Sequence, residues 1–119
     1  MKNILVIDDD LAILEVMKII LEDEGHKVTI QTNGDNILEK VLAVKPDMIL
    51  LDYWIPGSKD GGQIAKEIKS HDASKDIPIV IISANHNIES QIAQLGVEHF
   101  LPKPFNIEEL TALINRYNS

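Results

Sequence analysis

No cysteine occurs among the 119 residues, and arginine occurs once, as Arg116. The first absence excludes a disulfide scaffold, a thiolate zinc site and a cysteine nucleophile, and it is compatible with a reducing cytoplasm. The second excludes a guanidinium cluster for phosphate recognition. No apolar run approaches the roughly 20 residues that span a bilayer. The start, Met1-Lys2-Asn3-Ile4, enters an apolar segment at once, without the longer apolar stretch and cleavage site of a secretory signal. Cations are also scarce, with 11 Lys and Arg against 19 Asp and Glu and a net charge of −8. That surplus argues against this chain gripping nucleic acid or an anionic membrane by itself. What is present is an apolar fraction of 45% and a charged fraction of 25%, the balance of a soluble globular protein. The length suits one domain, residues 1–119, with one real core.

Two patterns alternate along the chain. Short apolar runs, Ile4-Leu5-Val6-Ile7, Met48-Ile49-Leu50-Leu51 and Ile79-Val80-Ile81-Ile82, suit strands buried on both faces. Val28-Thr29-Ile30 and Phe100-Leu101 are shorter or mixed, as edge strands are. Between them lie stripes at helical spacing. Leu14, Met17 and Leu21 form the first, flanked by Ile13 and Ile20 and stopped by Gly25. Ile37, Val41 and Val44 form the second, ended by Pro46, and Ile64 with Ile68 the third. Ile88, Ile92 and Leu95 form a fourth, stopped by Gly96, and Leu110, Leu113, Ile114 and Tyr117 the last. Asn106 followed by Glu109 reads as the cap of that helix. The alternation predicts five β-α units, hence an α/β, doubly wound, five-stranded parallel sheet with helices on both faces. The last helix runs almost to Ser119, so no output domain is expected within the chain.

Ligands of such sheets bind beyond the carboxyl ends of the strands. There the sequence places Asp8-Asp9-Asp10, Asp52, Ser83 and Lys103, drawn from positions 8 to 103 to one edge. Clustered carboxylates repel one another and raise their own pKa values. A hard divalent cation removes the conflict, and Mg²⁺ accepts one or two carboxylates together with waters and phosphate oxygens. Asp8, Asp9 and Asp52 fit that demand, and the backbone carbonyl of Trp54 is a further candidate ligand. Asp52 is also a candidate nucleophile, since a carboxylate forms an aspartyl phosphate. Lys103 then supplies a second positive charge and Ser83 a hydrogen bond to the phosphoryl group. The bland reading suits Asp10, as a helix cap or solvated residue, better than it suits Asp52. His26, His71, His86 and His99 pair with no carboxylate or hydroxyl at a persuasive spacing and are read as surface residues.

These residues resemble the receiver domain of two-component response regulators over essentially the whole chain. The matching segments are Ile4 to Asp10, Ile49 to Pro56, Asp60-Gly61, Ile81 to Ala84 and Phe100 to Phe105. The resemblance implies a flavodoxin-like fold with strand order 2-1-3-4-5. It implies that Asp52 accepts a phosphoryl group from a phosphohistidine on a sensor histidine kinase or phosphotransfer protein. Asp8 and Asp9 are implied to hold Mg²⁺, Trp54 to add its carbonyl, and Ser83 and Lys103 to meet the phosphoryl group. A cis bond at Lys103-Pro104 is implied as well. Phe100 stands where the family places a switch aromatic, and the switching face is that of helix four, strand five and helix five, read by a downstream effector. Dimerisation through helices four and five is compatible with this reading, as is a cytoplasmic location. The loop from Pro56 to Gly62 is one residue longer than usual, and Phe100 lacks the hydroxyl of the common Tyr. Trp54 and Asn85 are expected to screen the phosphoryl group from water, a hypothesis that fails if Trp54→Ala loses phosphate no faster than the parent.

Two other classes compete. Asp8 and Asp10 form an Asp-x-Asp after an apolar strand, as in haloacid-dehalogenase-like phosphatases, with Asp8 as nucleophile and Asp10 as general acid. Those enzymes need a cap or a longer core. A receiver-like module that binds or dimerises without phosphorylation is the second, and the intact acids, Ser83 and Lys103 argue against it. A nucleotide or flavin site is weaker still, because no glycine-rich cradle follows the strands.

Overall fold

The computed structural model describes residues 2–53, 60–84, 90 and 93–116. The apolar runs become strands β1 (Asn3–Ile7), β2 (Lys27–Gln31), β3 (Met48–Asp52), β4 (Ile79–Ser83) and β5 (His99–Pro102). They form one parallel sheet in the order β2-β1-β3-β4-β5. The mixed segments are the edges, β2 and β5, and β3 and β4, apolar up to their last residues Asp52 and Ser83, are buried along their whole length.

Strand residues alternate between faces, and the core divides accordingly. Ile4, Val6, Met48, Leu50, Val80 and Ile82 pack on one side with Leu14, Met17 and Leu21 of helix α1 (Leu11–Asp23). Leu110, Leu113 and Ile114 of the last described helix, Ile107–Arg116, join the same cluster. Leu5, Ile7, Ile49, Leu51, Ile79 and Ile81 pack on the other side. There they meet Ile37 and Val41 of α2 (Ile37–Val44) and Ile64, Ala65 and Ile68 of α3 (Gly61–Lys69). The first, second, third and last predicted stripes thus face the sheet. Of the fourth stripe, Ile88 and Ile92 lie outside the described residues, as does Tyr117 of the last. Gly96, the stop of the fourth, has φ +77°, which a side chain resists.

Helix ends follow their local chemistry. Asp10 caps α1, its Oδ1 accepting from the N–H groups of Ala12 and Ile13 at 3.0 and 3.4 Å. Asp60 and Gln63 cap α3 reciprocally, each side chain accepting from the other's backbone N–H. Asn106 Oδ1 accepts from Glu109 N–H at 2.8 Å, as the sequence predicted. Away from the strand carboxyl ends, Lys69 Nζ donates to the carbonyls of Lys75 and Ile77 and to Glu98 Oε2, at 3.0, 2.8 and 2.8 Å. Glu98 Oε1 in turn accepts from Ile79 N–H at 2.8 Å. One ion pair therefore ties the end of α3 to the starts of β4 and β5.

The histidine expectation needs correction. His71 is exposed, but His26 and His99 are half-buried, and His86 lies outside the described residues. His26 Nδ1 accepts from Lys2 N–H at 3.2 Å. Burial lowers its pKa, reinforced by the N-terminal charge, and burial with Arg116 lowers that of His99. Among the described residues no helix is long and apolar enough to cross a membrane.

Candidate functional site

The parallel arrangement turns every strand's carboxyl end toward one edge. β1 runs out of ladder at Ile7, and the Asp8 N–H makes one further bond, to Gln31 O at 3.1 Å. Asp8 is 2% exposed, and its side chain folds back so that Oδ1 accepts from Asp10 N–H at 2.9 Å. β3, the neighbouring strand, ends in Asp52, which is 6% exposed and pairs in register with Ile82. Asp9 projects at the surface beside them. Carboxylate oxygens of Asp8, Asp9 and Asp52 lie within 4.8 Å of one another.

Lys103 arrives from the far side of the sheet. β5 pairs with β4 so that Ser83 faces Pro102, and Lys103 N–H donates to Ser83 O at 2.9 Å. From that anchor Lys103 Nζ reaches Asp8 Oδ2 at 3.4 Å and Asp52 Oδ2 at 3.2 Å. The Lys103-Pro104 bond is cis. Ser83 is buried at 1% exposure. Phe100, opposite Ile81, is half-buried and packs on the side of the core that holds Leu51 and Ile64.

The electrostatics follow from this crowding. Burial pushes the Asp8 carboxyl above its usual range, and the charge of Asp52 adds to the rise; the Asp10 N–H and Lys103 act against it. Burial alone lowers an ammonium, but the charges of Asp52 and Asp8 outweigh it at Lys103, whose pKa is raised. Three carboxylates and one ammonium leave a formal charge of minus two on the group. A divalent cation balances that charge, and an all-oxygen donor set matches a hard ion such as Mg²⁺.

The sequence-predicted residues Asp8, Asp9, Asp52 and Lys103 are thus brought together, with Ser83 at the same edge. Asp10 is set apart, its Oδ1 engaged by the first turn of α1, which disfavours the general-acid role of the phosphatase reading. Trp54 and Asn85 lie outside the described residues, as does most of the loop from Pro56 to Gly62. Its described end is the cap Asp60 with Gly61 and Gly62. A feature the sequence reading passed over is the contact of that end with β3, where Gly61 N–H donates to Tyr53 O at 2.7 Å.

Comparison with known proteins supplies an independent line. The model of the response regulator receiver domain family matches residues 4–115. The nitrogen assimilation regulatory protein NtrX of Azorhizobium caulinodans is 35% identical over 96% of this chain and 25% of its own length. The response regulator MprA of Mycobacterium leprae is 34% identical over 94% of this chain and 49% of its own. The chain therefore spans between a quarter and a half of these curated relatives. Among solved structures, NtrX from Brucella abortus superposes with a TM-score of 0.87 at 32% identity, covering 98% of this chain and 27% of that one. The chemotaxis protein CheY4 of Vibrio cholerae superposes with the same score at 25% identity, covering 96% of both chains.

Proposed function

The chain belongs to the response regulator receiver domains, and from that premise we propose that it is a phosphoacceptor of a two-component relay, with Asp52 as the accepting residue. The observation that carries the reading is the placement of Lys103 Nζ within 3.4 Å of both Asp8 and Asp52, three residues from separate strand ends. An Asp52 carboxylate oxygen attacks the phosphorus of a phosphohistidine on a sensor histidine kinase or phosphotransfer protein. The new O–P bond makes an acyl phosphate as the N–P bond breaks, and the imidazole nitrogen keeps the electron pair and takes a proton. Lys103, already charged and anchored at Ser83 O, then pairs with a phosphoryl oxygen. Ser83 donates its hydroxyl to another.

Asp8, Asp9 and Asp52, with the carbonyl of Trp54, are the residues that would hold Mg²⁺, which when bound would supply charge neutralisation for the phosphoryl oxygens. The chain catalyses no other turnover in this reading, only its own phosphorylation and dephosphorylation. Phosphorylation adds about 1.5 to 2 negative charges at the edge where β5 ends. Ser83, opposite Pro102, and Phe100, opposite Ile81 two positions back along the same β4–β5 ladder, carry that change to the face of strand five, the fourth and fifth helices. An effector, an output domain elsewhere in a longer protein or a second copy of the chain reads it, in the cytoplasm.

Intact mass after incubation with acetyl phosphate tests this. The expected result is one phosphoryl group on the parent, dependent on Mg²⁺, and none on Asp52→Asn. An adduct that survives Asp52→Asn overturns the assignment, and no adduct in any condition leaves a receiver-like binding module in its place.

A further inference from the structure

Two adjacent glycines open α3, and their surroundings differ. A Cβ on Gly62 would meet only side-chain atoms, Tyr53 Cε2 at 3.2 Å, Asp60 Oδ1 at 3.3 Å and the Tyr53 hydroxyl at 3.4 Å. A Cβ on Gly61 would meet backbone: Tyr53 Cα at 2.5 Å, Asp52 O at 2.6 Å and Tyr53 O at 2.9 Å. At 3.2 to 3.4 Å the Tyr53 ring and the capping Asp60 Oδ1 need give only by a few tenths of an ångström, whereas the backbone of residues 52 and 53 is held. Asp52 is the last residue of β3, and Tyr53 N–H donates to Ile82 O at 3.0 Å. Gly61 is itself drawn in by its 2.7 Å bond to Tyr53 O and by the Asp60–Gln63 cap behind it. α3 therefore docks main chain against main chain on the residue that bears the phosphoacceptor carboxylate.

We propose that Gly61 is a positioning residue for the acidic site: its missing side chain lets the start of α3 fix the backbone of Asp52 and Tyr53, and so the aim of the Asp52 carboxylate. The inference rests on the reading of Asp52 as phosphoacceptor and Mg²⁺ ligand. It concerns geometry and not fold stability, because both glycines occupy the same helical turn and both gain helix propensity on substitution by Ala. Gly62→Ala is thus an internal control, matched in chemistry and differing only in what the methyl strikes.

The test measures Mg²⁺ affinity by titrating the emission of the lone Trp54, and in parallel the rate of phosphorylation by acetyl phosphate. Circular dichroism monitors the fold. Gly62→Ala is expected to stay within about twofold of the parent in both. Gly61→Ala, with a parental dichroism spectrum, is expected to bind Mg²⁺ about fivefold or more weakly and to phosphorylate about tenfold or more slowly, as small displacements of a reacting group do. Parental values for Gly61→Ala overturn the proposal. If Gly61→Ala does not fold at about 10 °C, Asp60→Ala, which unties the same helix end without adding bulk, decides. Weakened Mg²⁺ binding there supports positioning through α3, and parental binding makes Gly61 a folding residue only. A parent that neither binds Mg²⁺ nor gains a phosphoryl group removes the underlying reading instead, an outcome distinct from all of these.

Discussion

Lys103 holds its ammonium 3.2 Å from the Asp52 carboxylate across 51 residues of sequence. Asp52 closes a central strand, and Lys103 follows an edge strand two places away in the sheet. The same ammonium touches Asp8 at 3.4 Å, so one cation serves two buried acids that also face Asp9. Repulsion between carboxylates spaced 4.8 Å or less is at least about 3 kcal/mol per pair at an effective permittivity near 20. At the same permittivity the two Lys103 contacts attract by about 5 kcal/mol each, so the repulsion cancels most of what the ammonium contributes.

Asp8→Asn relieves part of that repulsion. In EDTA the variant is expected to be about 1 kcal/mol more stable than the parent, and added Mg²⁺ is expected to raise the melting temperature of the parent but not of the variant. The pH dependence has a definite sign. Burial raises Asp8 in the folded state, so its contribution to stability is fully present below the unfolded value of about 4 and is lost as pH rises through the folded value. The advantage of Asp8→Asn should grow from acid toward neutral pH. Calorimetric melts across that range check both points, and a variant less stable than the parent at pH 7 in EDTA refutes them.

His26 gives the opposite slope. Its pKa is lowered by burial, and its Nδ1 must be unprotonated to accept from Lys2 N–H. A depressed pKa contributes stability above the unfolded value of about 6.5 and loses it as pH falls through the folded value. Urea midpoints should drop on acidification below that point. His26→Asn keeps an acceptor without titrating, so its midpoint should fall less. Equal slopes for parent and variant would count against the role of His26.

Gly34 tests packing between the loop after β2 and α3. A Cβ there would clash with Ile64 Cδ1 and lie 2.7 Å from Ile64 Cγ1, and Ile64 is fully buried. Gly34→Ala is expected to cost about 1 to 3 kcal/mol through overpacking. Ile64→Val removes the offending methyl at a cost of about 1 kcal/mol alone. The double variant should be more stable than the sum of the two effects predicts, by chemical denaturation, and strict additivity would show that the loop moves aside.

Lys69→Met removes the donor shared by two carbonyls and Glu98. The loss expected is about 1 to 3 kcal/mol, more than a surface ion pair gives, because the Lys69 side chain is only 13% exposed. Phosphorylation of Asp52 should persist, since this anchor lies away from the acidic edge. A loss below about 0.5 kcal/mol by urea denaturation would reduce the anchor to a surface pair.

Much of this was legible in the residue order. Four-residue apolar runs ending in Asp or Ser announce both the strands and the edge where the acids gather, because a parallel sheet leaves those ends on one side. Asp10 as a cap and Asn106 as another follow from local chemistry. The histidines misled, since His26 and His99 are covered by partners remote in sequence. Lys69 and Glu98 carry no pairing signal because they stand 29 positions apart and meet only through the β4–β5 register. Asp60-Gly61 stands out in the sequence only by resemblance; what a side chain at Gly61 or Gly62 would strike is visible only in the distance from each to the backbone of Tyr53.

The edge position of β5 has a mechanical side. β3, which ends in Asp52, is gripped by a ladder on each flank, from β1 and from β4. β5, which delivers Lys103, is gripped on one flank by β4 alone. A tug between the two residues is thus unequal: the carboxylate end is moored twice and the ammonium end once. Under the proposed function, a change of charge on Asp52 would pull on the looser hawser, on the flank of the sheet that carries Phe100.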